Sequence, residues 1–525
     1  MRWLGSGAAL KCVAMAATLA PWESSGAPAA LFDETQAQTL FAFDDVSIPF
    51  TQNLKLVMRM PHRHPQNPVV QRGGAKAPDS WAVQFYGSVI REEEKFRMWY
   101  VAAGEDRVKR TGPRSSPWRV AYAESRDGVH WNKPSLGLVD YLGSRDNNLV
   151  SLEPRLGIVN LKVLREPSAA HPYKLGAHVW FPKGRKRMGT FAPYSSNDGL
   201  RWRLMTEAKP VDFELQPNDL LLPPVHLEPV GGLYLWDGLY HLSGQNAMPT
   251  TRPLHGRISR AYVSSDFINW TPGSALNFVR TQQHERLGPG RSREGEQNHE
   301  AISVWKRGNV LLGVSGRWHG AAEWEGVTVD LGFVLSNDGI RFREPAHDWT
   351  FLKRGNDGAW DQGGLLQGQG FENVAEQTFI YYGAWDPRAS EGSPPRGGVG
   401  IAMLPRDRFA DLRVDESTRG KGTYQLENPQ SELLTKSLQW APDTEPQIHV
   451  NAHGLGADAA LRLELLRHDL TPIEGCVATV RQNGFQVPVD WGGRTRPVAK
   501  RARLRVRFEG ARKSDIRLHA IYLKK

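Results

Sequence analysis

Four stretches of the chain gather the residue types that acid–base chemistry on a polyhydroxylated ligand requires. They are PPVHLEP (His226, Glu228), GEQNHEAIS (Glu296, Asn298, His299, Glu300), SGRWHG (Arg317, Trp318, His319) and WDQGGLLQGQGFEN (Asp361, Gln367, Gln369, Glu372). Amides and carboxylates match hydroxyl groups, and an indole offers a flat apolar face to a sugar ring. Two carboxylates in different environments are also the minimum machinery for breaking a glycosidic bond. One, with a raised pKa, protonates the leaving oxygen, and the other serves as base or nucleophile. Glu300, at a strand start beside His299, is the preferred acid, and Glu228 is the second candidate. For the partner carboxylate the candidates are Asp79 of APDSW, just ahead of the first inner strand, and Asp45 of FAFDDVSIPF, where the chain could enter a central pit. His226, His299, Arg317, Trp318, His319, Asp361, Gln367, Gln369 and Asn160 are expected to contact substrate. His299 and His319 lack the short spacing of paired metal ligands, so neither a metal nor a cofactor is expected.

Residues so far apart in sequence meet only if the fold is periodic. The stretch SRDGVHW (Ser125, Asp127, Gly128, Trp131) supplies the period. Its spacing returns in SNDGLRW (Ser196, Asp198, Gly199, Trp202), SSDFINW (Ser264, Asp266, Phe267, Trp270) and SNDGIRF (Ser336, Asp338, Gly339, Phe342), and in degenerate form in PRDRFAD (Pro405, Asp407). The copies recur about every 70 residues, a period that marks a repeat architecture. In each copy the Asp should accept backbone N–H groups just after it, the Gly should take a positive φ, and the aromatic residue should drop between neighbouring units. Ahead of each copy run two or three β-patterned segments, such as VGGLYLWDGLYHLSGQ followed by GRISRAYVSS. Short strands rich in Val, Ile, Tyr, Phe and Trp, separated by Asp-Gly and similar turns, read as antiparallel hairpins. Five such units predict an all-β, five-bladed β-propeller over residues 31–415. The alternation in LRLELL and ARLRVRFEG predicts a linker and C-terminal β-sandwich over 416–525. In a propeller the first strand of each blade lines the central pit, which brings Tyr86, Asn160, Glu228, Glu300 and Gln369 to similar depth.

The totals agree with this reading. A chain of 525 residues with 18 Trp, 52 Gly and 35 Pro is built for short strands and tight turns. Its net charge of +10 comes from scattered basic residues, and the densest run, KRARLRVRF, alternates as a strand with one wet face. No nucleic-acid partner is expected, and the expected ligand is a carbohydrate. The N-terminus combines Arg2, a short apolar run from Cys12 to Ala20 and small residues around Ala27, which reads as a signal peptide over residues 1–30 and a secreted or periplasmic protein. No other apolar run approaches membrane-spanning length. Removal of Cys12 with that segment leaves Cys476 alone, so no disulfide is expected.

The five-fold grammar, the segment EPVGGLYLWDGLYHLSG and the trailing β-domain resemble the furanosidase superfamily of glycoside hydrolases, families 32, 43 and 68. AESRDGVHWNKPSLGLVDYLGSRDNNLV, SNDGIRFREP and WDQGGLLQGQGF also resemble secreted bacterial proteins described as family 32-like or family 43-like. The resemblance covers nearly all of the mature chain. It implies a five-bladed propeller with a C-terminal β-sandwich, and a site with one Asp on blade one, another on blade two and a Glu acid on blade three. Glu228 matches the third position, whereas the first two inner strands offer Tyr86-Gly87 and Asn160, and the fructosidase motif Asn-Asp-Pro-Asn is absent. An exported glycoside hydrolase is the leading expectation. A non-catalytic glycan-binding propeller and a propeller phosphorylase remain open beside it, while the fivefold count disfavours a sialidase-like enzyme.

Overall fold

The computed structural model describes residues 32–106, 118–223, 226–228, 230–246, 257–280, 295–386, 396–418, 430–440, 447–492 and 501–524; the expected signal peptide lies outside them. Residues from Glu34 onward form one compact unit. Among the described residues the chain is all-β, its strands joined by turns and a few single-turn 3-10 segments, and no helix is long and apolar enough to cross a membrane.

The alternating apolar runs pair into antiparallel sets. Strand β1 (Ala82–Glu92) leads Lys95–Ala103, Arg119–Ser125 and Trp131–Asn132. Strand β2 (Asn160–Arg165) leads Tyr173–Lys183, Lys186–Ser196 and Arg201–Leu204. Strand β3 (Val230–Trp236) leads Leu239–Asn246, Ile258–Ser264 and Ala275–Phe278. Strand β4 (Gln297–Arg307) leads Val310–His319, Thr328–Ser336 and Thr350–Leu352. Strand β5 (Gly364–Val374) leads Gln377–Trp385 and Val399–Pro405, and the fourth strand there is His62–Arg63, from ahead of β1. The incoming chain thus covers an edge that would otherwise present unpaired N–H and C=O groups. Each leading strand packs against the next, and β5 packs against β1.

The repeated turn has the geometry its residues dictate. Asp127 Oδ1 accepts the N–H groups of Val129 and His130, each at 2.8 Å, and Ser125 Oγ accepts that of Gly128 at 2.9 Å. Asp198, Asp266 and Asp338 repeat the arrangement. In Asp266 the hydrogen bonds from Asn269, then that from Ile268, hold the carboxyl down to about 2. Gly128, Gly199 and Gly339 have φ of +78°, +73° and +79°, and Phe267 at the same position has +71°. The glycine carbonyls join neighbouring sets: Gly128 O accepts from Tyr381 Oη at 2.8 Å, Gly199 O from Trp99 Nε1 at 2.7 Å and Gly339 O from Tyr234 Oη at 2.9 Å. The degenerate copy departs from this pattern. Asp407 is fully buried and pairs with Arg307 Nη2 at 2.7 Å and Tyr522 Oη at 2.8 Å instead of capping its own turn.

The C-terminal strands form two six-stranded sheets around one apolar core that includes Leu433, Val450, Leu461, Leu504 and Ile521. Strands from the start of the chain complete both sheets. Gln38–Phe41 pairs with Arg517–Lys524, and Phe50–Gln52 with Glu432–Leu434. Leu54–Met58 pairs with Ala410–Val414. Buried Glu34 belongs to the same junction, accepting from Arg406 and from Gln486 Nε2 at 3.1 Å.

Glycine substitution separates turn conformation from inter-set packing. A Cβ on Gly199 would lie 2.8 Å from the Trp99 ring, whereas one on Gly184, at φ +62°, meets nothing within 4 Å. Gly184→Ala should cost about 1 kcal/mol and Gly199→Ala about 2 kcal/mol or more, read as midpoints of urea unfolding. Equal losses would show that the turn does not carry the contact between sets.

Candidate active site

Near their starts four of the five leading strands depart from regular pairing. The register slips between Gln84 and Ser88 in β1, Val230 and Gly232 in β3, His299 and Ile302 in β4, and Gln367 and Phe371 in β5. A bulge leaves backbone groups without ladder partners and re-aims the side chains it carries. In β4 the bulge is Glu300-Ala301, with φ of +61° and +60°, a conformation unfavourable for residues with a Cβ. Side-chain amides hold it: Gln245 Oε1 accepts the Glu300 N–H at 2.6 Å, and Gln367 Nε2 donates to His299 O at 2.6 Å and Ala301 O at 3.0 Å. Gly231 lets β3 come close, since a Cβ there would sit 2.5 Å from Glu300 O.

Glu300 thereby joins a cluster with Glu228, Tyr86, Lys162, His178, His299 and Arg257, all within electrostatic reach of one or both carboxylates. Its side chain is 15% exposed and Oε2 has no hydrogen-bond partner. Burial drives its pKa up to about 8. The Tyr86 hydrogen bond opposes this, the charge of Glu228 reinforces it, and Arg257 and Lys162 oppose it. Glu228, 34% exposed, behaves in the opposite way. Burial again opposes ionisation, but the His226 hydrogen bond and the neighbouring His178 and Arg257 outweigh it and pull the carboxyl well below the ordinary range. His226 Nδ1 accepts the Gly189 N–H at 2.9 Å, so Nε2 carries the proton and donates it to Glu228 Oε2 at 2.6 Å. Lys162 is fully buried, donates to Tyr86 O at 2.8 Å, and is lowered to about 7 by burial, partly offset by Glu300. His178, also fully buried, has neither ring nitrogen bonded.

The remaining expected residues divide by partner. Asn160 is spent on the backbone of Val230, donating to its O at 2.8 Å and accepting its N–H at 3.1 Å. Gln369 does the same to Leu233, at 2.7 Å and 3.0 Å. Asp79 is buried against Tyr100 Oη at 2.7 Å and Lys133 Nζ at 2.5 Å. Asp361 stands equivalently ahead of β5, against Tyr382 Oη at 3.1 Å and Arg63 Nε at 2.9 Å. Both aspartates anchor the second strand of their set. Asp45 pairs with Arg343 Nε at 2.9 Å, beside the repeated turn that starts at Ser336 and away from Glu300. Arg317 is buried against Trp349 O at 2.9 Å and Asp348. His319 bridges Glu296 at 2.6 Å and Asp330 at 3.1 Å; burial opposes its charge, but these two carboxylates raise its pKa to about 9. Trp318 is buried, its ring stacked 5.2 Å from that of His299 and 4.1 Å from the Arg257 guanidinium.

Lys162, His178 and Arg257 were not among the expected site residues. The first two sit in the apolar strands NLKVLR and GAHVWF, where a lone polar residue facing inward is the available signal. His178 lies directly opposite Asn160 in the ladder.

No family model matches the chain. It is 30% identical over 127 residues to an uncharacterized protein of Mycobacterium tuberculosis, a stretch covering 24% of this chain and 36% of that relative, so the chain spans about a third of its length. Among solved structures it is similar to one described under the GH130 family of mannoside phosphorylases, which contains glycoside hydrolases that target β-1,2 mannosidic linkages in Candida mannan. Identity there is 15% and the TM-score 0.44, over 67% of this chain and 95% of that one. It is also similar to a glycosyl hydrolase from Bacteroides ovatus (13%, TM-score 0.44, 67% and 96%) and to a Bombyx mori GH32 β-fructofuranosidase (10%, TM-score 0.39, 87% and 95%).

The buried histidines make stability pH-dependent. Burial lowers His178 from 6.5 to about 4, so as the pH falls the unfolded chain takes up the proton first. Its contribution is complete above the unfolded value and is lost between about pH 6.5 and 4. Unfolding free energy should drop by about 2 kcal/mol from this group between neutral pH and pH 5. Urea titrations at both pH values check this, and an unchanged difference in His178→Asn would refute the assignment.

Proposed function

We propose that this chain is an exported glycoside hydrolase, a five-bladed β-propeller joined to a β-sandwich, with its site in the pit at Glu300. The observation that supports this reading best is the opposite displacement of two carboxylates in one pit. Glu300 is pushed up to about 8 and Glu228 is held well below the ordinary range. Near neutral pH the first is an acid and the second an anion, which is the division of labour that glycosidic cleavage needs. Glu300 gives its proton to the leaving oxygen as the C–O bond breaks. Glu228 either takes a proton from the attacking water or bonds to the anomeric carbon itself, and in the second case water, deprotonated by Glu300, then cleaves the glycosyl ester and frees Glu228. Tyr86, hydrogen-bonded to Glu300, keeps the acid oriented.

A second reading, phosphorolysis, is favoured by Arg257, whose charge acts on Glu300, Glu228, Tyr86 and His299 and would draw a phosphate dianion to the same place. There phosphate replaces water as the attacking group.

The test is a glycan panel assayed with and without inorganic phosphate. Glu300→Gln and Glu228→Gln should each lower kcat/KM roughly 10²- to 10⁴-fold while binding persists. Wild-type kcat/KM should decline above about pH 8 as Glu300 loses its proton, and Glu300→Gln should lack that limb. Turnover only with phosphate selects phosphorolysis. Binding without turnover by the wild type would instead identify a glycan-binding protein.

A further inference from the structure

An aromatic row leads outward from Glu300. His299 Nε2 stands 3.5 Å from Glu300 Oε1, and the His299 ring lies 5.8 Å from that of Trp385. Trp385 meets Trp324 edge-on at 5.8 Å and 87°, and buried Trp318 backs both rings, at 6.0 Å and 5.9 Å. Trp324 is 37% exposed and sits on the single-turn segment Trp324–Gly326, between Val310–His319 and Thr328–Ser336. Strands in each set alternate in direction, so the end of Val310–His319, the start of Thr328–Ser336 and the end of Gln377–Trp385 all lie at the end where β4 and β5 begin. That is the Glu300 end, opposite the repeated turns.

Contact with Trp318 and Trp385 accounts for the inner side of Trp324 but leaves its outward side in water. Exposed Glu323 and Glu325 flank it. A sugar ring presents C–H groups on one face and hydroxyls around its rim. An indole fits the first, and carboxylate oxygens accept from the second. We infer that Trp324, propped by Trp318 and Trp385, is a platform for a sugar ring beyond the bond that is cleaved, so that the preferred ligand is an extended oligosaccharide. This inference rests on the glycan reading of the Glu300 pit.

The experiment compares a long and a short member of whichever oligosaccharide series the panel identifies. In Trp324→Ala the ratio of kcat/KM for the long chain to that for the short one should fall roughly tenfold, carried by KM. Trp324→Tyr, which keeps an aromatic face, should recover most of it. For a chain that binds without turnover, the same ratio is taken from dissociation constants. An unchanged ratio in Trp324→Ala, with the Glu300→Gln defect intact, overturns the platform and leaves the pit standing. Failure of the wild type to bind or cleave any glycan overturns both. Thermal unfolding of both Trp324 variants separates a lost contact from a lost fold.

Discussion

The structure depends on how backbone polar groups are satisfied where β1 to β5 converge. A strand that packs against its neighbours without a regular ladder to them still has buried N–H and C=O groups that need partners. Side-chain amides provide them: Asn160 bonds Val230, Gln369 bonds Leu233, Gln367 bonds the carbonyls of His299 and Ala301, and Gln245 bonds the Glu300 N–H. These crossings tie β2 to β3 and β5 to β3 and β4, and hold a bulge that would otherwise relax. Glu300 is the side chain they present.

A carboxylate so held is largely cut off from solvent, and the direction of its pKa follows from its few polar neighbours. Glu300 has Tyr86 and an unbonded Oε2, whereas Glu228 has a histidine proton aimed at it. Desolvation acts on both; the difference in hydrogen bonding decides between acid and anion. Burial lowers His178 and His299 for the same reason, at the cost of acid stability.

A second buried junction ties the leading strands to the C-terminal sheets. Arg307, at the end of β4, is fully buried and faces Asp407, with Glu34 at 3.7 Å. Asp407 also accepts from Tyr522 in the last strand and from Asn373 at 3.2 Å in β5. A buried pair of this kind depends on partners for its remaining donors and acceptors, and here residues from both ends of the chain, Glu34 and Tyr522, supply most of them, while Arg307 Nε has none. Removing one partner would leave an uncompensated charge.

Local chemistry was legible in the sequence. Ser, Asp, Gly and an aromatic residue at fixed spacing specify a turn through contacts within seven residues, and alternating apolar residues specify strands, so the turns, their period and the all-β class follow without knowledge of the fold. Glu300 and Glu228 stood out by type and position. Which partners distant residues meet was a different matter. Asp79, Asp361 and Asp45 look alike in sequence, yet Tyr100, Tyr382 and Arg343 give them anchoring contacts. Asn160 and Gln369, chosen for their hydrogen-bonding capacity, use it on the backbone. Lys162, His178 and Arg257 come into electrostatic reach of the carboxylates only when β2, its partner strand Tyr173–Lys183 and the segment entering Ile258–Ser264 pack beside β3 and β4. Strands from residues 38–63 complete sheets made by residues hundreds of positions away. Spacing encodes contacts along one stretch of chain; contacts between stretches, and the desolvation that sets the acidity of Glu300, exist only once the chain has closed on itself.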